Sequence, residues 1–223
     1  KLSTVKTVNG KKPVFFGLDA KNDFYAKNIK NSGDGKVLAT LCFDNNNIDV
    51  EIPAIGTYMV TNALAAAAAG KLLGLTDEEI ANGVASYKTV GSRANVINTG
   101  KIKIIDDCYN ANPTSVRASL DTLSNLDGRK VAILGDMKEL GSEELKLHFD
   151  TGVYAKSKDI GTVITVGELA KELAKGADGK AFDTIEDAKP EILKTIKSGD
   201  VVLVKASHSM QFENIVEFLK QNF

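Results

Sequence analysis

The sequence predicts an α/β protein in which a β-rich and helical first part precedes a Rossmann-like, doubly wound parallel sheet. Three observations predict it. From about Gly91 onward, short apolar runs alternate with amphipathic stretches of helical period, the pattern of βαβ units with helices on both faces of a sheet. Before about residue 55 the chain reads instead as β-rich segments with polar turns. Between the two lies a stretch rich in Ala and Leu, with no β-branched run inside it, which favours helix.

Taken in order, Pro13–Gly17, Lys36–Phe43 and Ile48–Ile52 are expected strands, and Asn45-Asn46-Asn47 is the expected turn between the last two. Thr61–Leu73 is an expected helix with Gly74 as its stop. Thr76 and Glu79 have capping-box spacing, so a second helix runs to about Ser86. Strands are then expected at Ile102–Asp106, Lys130–Leu134, Thr162–Val166, weakly near Ala181-Phe182, and at Val201–Lys205. Helices are expected at Pro113–Ser124, Glu143–Ser157, Glu168–Lys175, Ile185–Lys197 and Met210–Gln221. A length of 223 residues suits one large domain or two modest ones, and the change of pattern favours two. The boundary falls near 88–95, dividing the chain into 1–90 and 91–223.

Composition narrows the function. With 43% apolar and 26% charged residues, the chain reads as soluble and globular. A net charge of -1 offers no basic patch for nucleic acid. Cys42 and Cys108 form no CxxC and have no His at metal spacing, so neither zinc nor a disulfide framework is expected, and a reducing, cytoplasmic compartment fits. The longest apolar run, Ala63–Gly70, is too short for a membrane helix, and no signal peptide is visible. Because the first residue is Lys1 rather than Met, the natural start is expected to lie upstream.

Ligands of open parallel sheets bind beyond the carboxyl ends of the strands, which directs attention to three loops. After Ile102–Asp106 comes Asp107-Cys108-Tyr109-Asn110-Ala111-Asn112-Pro113, with Asn112 as a natural N-cap and Pro113 at the first helical position. Such a helix start suits an anion. Asn112 could equally be only a cap, but the whole polar cluster points to a site. After Lys130–Leu134 comes the charged loop Gly135-Asp136-Met137-Lys138-Glu139-Leu140-Gly141, which also reads as a plain turn. After the last strand, Lys205-Ala206-Ser207-His208 suits an anionic substrate, or else a Ser N-cap with an exposed His. His148 reads as a packed helix residue rather than a catalyst. Arg93, in the connector Gly91-Ser92-Arg93, is either a surface arginine or a bidentate phosphate ligand. GxxxxGK[ST], GxGxxG, GxSxG and HExxH are all absent.

Together these segments resemble the Mur ligase family, in its MurF type. Ile104–Pro113 resembles the family's IDDxYNANP signature, Leu134–Gly141 its LGDMxELG loop, and Val204–Met210 its VKGSRxM segment. Gly56–Ala66 resembles GxHNVxNALAA, and Gly91–Arg93 the domain-linking GR. Departures are Tyr58 for the family's His, Met59 for its Asn and His208 for its Arg.

The resemblance implies that residues 1–90 are the end of a P-loop central ATPase domain, with the P-loop itself outside these residues, and that 91–223 are the Rossmann-like C-terminal domain. It implies a part of an ATP-dependent amide ligase, using ATP and Mg²⁺ to join D-Ala-D-Ala to UDP-N-acetylmuramoyl-tripeptide through an acyl phosphate. This serves peptidoglycan precursor synthesis; the protein would act as a monomer, and the 223 residues alone would be inactive. Asn62 would hold adenine, Arg93 the phosphates and Asp107 the ribose. Tyr109, Asn110 and Asn112 would line the cleft, with Thr114, Asp136, Lys205, Ser207 and His208 on the peptide side. Most Mg²⁺ ligands would lie outside the chain. A related ligase making polyglutamate or cyanophycin, or a non-catalytic nucleotide- or peptide-binding module, remain the alternatives.

Overall fold

The computed structural model describes residues 5–32, 35–89 and 91–223. Lys1, where the chain begins, and Val90, the expected boundary, lie outside the described residues. The chain divides into two compact units, 1–88 and 89–223, each with its own core.

The first unit is a three-stranded antiparallel sheet, β1 (Tyr25–Asn31), β2 (Val37–Phe43) and β3 (Asn46–Ile52), in that order. It is followed by α1 (Met59–Leu72) and α2 (Asp77–Ala85). Phe43 pairs with Asn46, so the hairpin turn is Asp44-Asn45, one residue earlier than expected. Both turn residues have positive φ, 48° and 62°. This is the geometry of a two-residue type I′ turn, which Asp and Asn tolerate. β1 was not expected: its sequence is polar, and its pairing with β2 is interrupted by an irregularity between Lys27 and Lys30. Pro13–Gly17, expected as a strand, makes only a single bridge, Phe16 to Phe24. The core joins Leu41, Val50 and Ile52 of the sheet to Val60, Leu64, Ala67, Ile80 and Val84 of the helices. The Thr76–Glu79 capping box forms as expected.

The second unit is a six-stranded sheet in the order β4-β5-β9-β6-β7-β8. Its strands are β4 (Asn95–Asn98), β5 (Lys103–Asp106), β6 (Arg129–Gly135), β7 (Thr162–Val166), β8 (Lys180–Phe182) and β9 (Asp200–Lys205). The last five are parallel. β4, which the apolar pattern did not reveal, is an antiparallel edge strand on β5. The helices are α3 (Pro113–Ser124), α4 (Glu144–Ser157), α5 (Ala170–Ala177), α6 (Ile185–Thr195) and α7 (Glu213–Asn222). Ala188 and Ile192 of α6 and Ile215, Val216 and Leu219 of α7 pack with Ile104, Ile133, Val202 and Val204. α4 packs between α3 and α5. The α4–α5 crossing is close: a Cβ on Gly152 would lie 2.0 Å from the Leu173 carbonyl oxygen.

β9, last in sequence, lies between β5 and β6. Asp106 therefore stands beside Val204, and Leu134 beside Lys205. The chain reverses its winding here, and the carboxyl ends of three neighbouring strands open onto one edge, where such sheets take ligands.

Candidate functional site

The loop after β5 is held from below. Asp107 uses both carboxylate oxygens: Oδ1 accepts from the Ala94 amide (3.1 Å), and Oδ2 from Ser119 Oγ (2.7 Å) and Lys205 Nζ (2.6 Å). Lys205 also donates to the Asn110 carbonyl at 2.8 Å. Its side chain is 2% exposed, so this ammonium is out of water and is satisfied by the loop it supports. Asn112 caps α3, its Oδ1 accepting from the Ser115 amide at 2.9 Å, while Ser115 Oγ accepts from the Asn112 amide at 3.1 Å. Pro113 occupies the first helical position, where a missing N–H costs nothing.

The loop after β6 is stitched to the loop after β9. The Ser207 amide donates to the Asp136 carbonyl at 3.1 Å, and Ser207 Oγ accepts from the Lys138 amide at 2.9 Å. Asp136 is buried. Its Oδ1 accepts from the Ala170 amide at the start of α5 (2.8 Å) and its Oδ2 from Lys138 Nζ (2.7 Å). The Met137 amide donates to Nε2 of the buried His148 at 2.9 Å.

Above these supports the three loops enclose a cleft of about 670 Å³. It is lined by Tyr109–Asn112, by Lys138–Leu140, and by Ser207, His208 and Ser209. Tyr109 is half exposed. The Arg93 guanidinium lies over its ring, 3.8 Å from the centroid, and the His208 ring is 6.1 Å away. The Tyr109 amide donates to the Ser92 carbonyl at 2.9 Å. Arg93 is thereby tied to the loop by backbone on one side and by cation–π contact on the other. Cys108, between these groups, is buried and donates to the Val204 carbonyl at 3.5 Å. Burial, reinforced by the negative charge of Asp106, pushes its thiol far above the ordinary range. It is therefore held as an inert thiol.

Of the residues singled out in the sequence, Tyr109, Asn110, Asn112, Ser207 and His208 line this one cleft. Arg93 joins them through Tyr109. Asp107, Asp136 and Lys205 do not line it: they lie in the supporting layer, Asp107 and Lys205 paired with each other and Asp136 with Lys138 and the Ala170 amide. Thr114 is exposed on the first turn of α3 and is not among the lining residues. Asn62 belongs to the first unit. It borders an apolar groove of about 320 Å³ between α1 and α2, with Met59, Ala66, Leu75 and Tyr87. Its amide reaches Met59 Sδ at 3.4 Å.

Lys138, Glu139, Leu140 and Ser209 line the cleft and were not singled out individually. The signal available for the first three was their loop between Gly135 and Gly141. His148 proves buried inside α4, as expected of a packed helix residue, but its hydrogen bond to Met137 had no local signature. Among the described residues no group of three His, Cys, Asp or Glu could hold a metal ion, and no helix is long and apolar enough to cross a membrane.

Comparison with known proteins agrees with this architecture. The family model described as the Mur ligase glutamate ligase domain matches residues 92–208, and that of the Mur ligase middle domain matches residues 2–70. The UDP-N-acetylmuramoyl-tripeptide--D-alanyl-D-alanine ligase of Bacillus subtilis is 34% identical over 215 residues, which are 92% of this chain and 46% of that protein. A crystal structure of MurF from Acinetobacter baumannii superposes with a TM-score of 0.87 at 30% identity, covering 93% of this chain and 46% of that one. MurF of Thermotoga maritima in complex with ADP gives 0.83 at 27%, covering 94% and 48%. The chain thus spans about half the length of the relatives it matches. With one model covering more than half of its residues and a second covering most of the remainder, the chain belongs to the Mur ligase family.

Proposed function

We propose that these residues are part of an ATP-dependent peptide ligase that adds D-Ala-D-Ala to UDP-N-acetylmuramoyl-tripeptide in the cytoplasm, for peptidoglycan precursor synthesis. One observation carries the reading: the signature Ile104–Pro113 ends in a capped helix start on an open cleft, in a chain that a relative of that name matches over 92% of its length. The reaction class needs a carboxylate activated as an acyl phosphate, an amine brought to it, and water kept away. ATP supplies the phosphoryl group.

The residues present suit the binding half of that task. Arg93 offers a cation held in place beside the cleft, suited to phosphate. Tyr109 and Asn110 lie with it on the nucleotide side. Asn112, Thr114, Ser207 and His208 offer amide, hydroxyl and imidazole groups to a peptide. Asp107, Asp136 and Lys205 serve by holding the loops that carry them. Asn62 would take the adenine from the first unit. The phosphate-gripping loop would lie outside these 223 residues, which contain no GxxxxGK[ST], and Mg²⁺ would be held mainly beside it.

The test is ATP-dependent formation of UDP-N-acetylmuramoyl-pentapeptide by the full-length protein from the tripeptide and D-Ala-D-Ala. Joining of glutamate or aspartate in place of the dipeptide would overturn the reading, and so would nucleotide binding with no joining at all.

A further inference from the structure

The lip Lys138–Leu140 enters the cleft in a conformation that it would not keep unaided. Glu139 has φ 64°, and Gly141 follows at 67°. A side chain is costly in that region of backbone space, and such a residue persists only where its surroundings impose it. Two side chains grip the chain just upstream. Ser207 Oγ accepts from the Lys138 amide at 2.9 Å. His148 Nε2 accepts from the Met137 amide, also at 2.9 Å.

The second grip dictates the state of the imidazole. His148 Nδ1 lies 2.7 Å from the Glu144 carbonyl oxygen. A carbonyl can only accept, so Nδ1 carries the hydrogen, and Nε2 keeps its lone pair toward the Met137 amide. A protonated ring would set two donors face to face. Filling this fully buried place in α4 does not require histidine, since leucine has a similar bulk. Leucine cannot accept a hydrogen bond, and the buried Met137 amide would then have no partner.

We propose that His148 is a positioning residue of the site: through the Met137 amide it holds the lip Lys138–Leu140 in the form that receives a peptide substrate. It touches no substrate itself. The proposal rests on the reading of the cleft as a ligase site, and its test separates the two.

Nitrogen NMR of the full-length protein near neutral pH should show the Nδ1–H tautomer at His148; the Nε2–H tautomer or an imidazolium overturns the proposal. His148→Leu should speed hydrogen exchange at the Met137 and Lys138 amides about tenfold or more, because a buried donor loses its acceptor, while His148→Gln, which returns an oxygen acceptor, should restore protection. In steady-state joining, His148→Leu should raise KM for a peptide substrate by about tenfold on the same ground, leave KM for ATP within about twofold, and be rescued by His148→Gln. Unchanged exchange, or fast exchange with unchanged peptide KM, overturns the clamp. If the unsubstituted protein joins no peptide, the ligase reading fails, while tautomer and exchange still judge the clamp. If His148→Leu does not fold, the tautomer and the exchange of His148→Gln decide it.

Discussion

Lys205 ends β9 with its ammonium against Asp107, a partner 98 residues away in sequence. Removing one member of a buried, hydrogen-bonded ion pair leaves the other uncompensated. Lys205→Met should therefore cost about 3 kcal/mol, the low end for a buried pair, read as a lowered urea midpoint. A change within about 0.5 kcal/mol, the range of an ordinary surface substitution, would show that the ammonium supports nothing. Cys108 makes a second test at this scale. Its folded thiol titrates far above its ordinary value of 9.0, chiefly through burial. At higher pH the unfolded chain loses this proton and the folded chain keeps it, so stability falls as pH rises above about 9, by up to about 1.4 kcal/mol per pH unit. Cys108→Ala should remove that part of the slope, and native Cys108 should resist iodoacetamide until denaturant is added. At this scale the sequence revealed residue types and local caps. Asn112 and Pro113 were legible because a cap is made within four residues. The pairing of Lys205 with Asp107 was not legible, because strand order supplies that partner.

Among elements, those with strong local signals were legible. The Thr76–Glu79 box formed, and Thr76→Ala should cost about 1 kcal/mol by thermal unfolding. α3 and β7 have the bounds expected of them. The polar edge strands β1 and β4 were not visible, because an edge strand needs only backbone partners and one sheltered face. The crossing of α4 over α5 was also hidden. Nothing in Gly152 or Gly176 as letters says that backbones meet there, yet a Cβ on either would lie within 2.3 Å of a carbonyl oxygen. Gly152→Ala should therefore destabilise by about 3 kcal/mol, the upper end for overpacking, even though alanine favours helix. A neutral or raised melting temperature would refute so close an approach.

For the whole molecule, the two units carry separate hydrophobic cores, and residues 89–223 expressed alone should unfold cooperatively with native-like circular dichroism. A non-cooperative, dye-binding state would show that the second core is incomplete without the first. The 223 residues by themselves should join no tripeptide to dipeptide, since they contain no GxxxxGK[ST]; product formed by the isolated chain would place the phosphate chemistry within it.

The sequence by itself determined the α/β class, the alternation after Gly91, the capped starts of α2, α3 and α6 and the loops that carry polar side chains, because these depend on periodicity and on contacts a few residues apart. Tertiary structure decided which of those side chains face the cleft. β9 inserts between β5 and β6, which brings residues near 107, 136 and 205 to one edge. There Lys205 neutralises Asp107, and Asp136 takes Lys138 and the Ala170 amide, beneath the floor, leaving Tyr109, Asn110, Asn112, Ser207 and His208 to line the cleft. A buried charge must find its partner inside the protein, and only the folded order of strands says where that partner is.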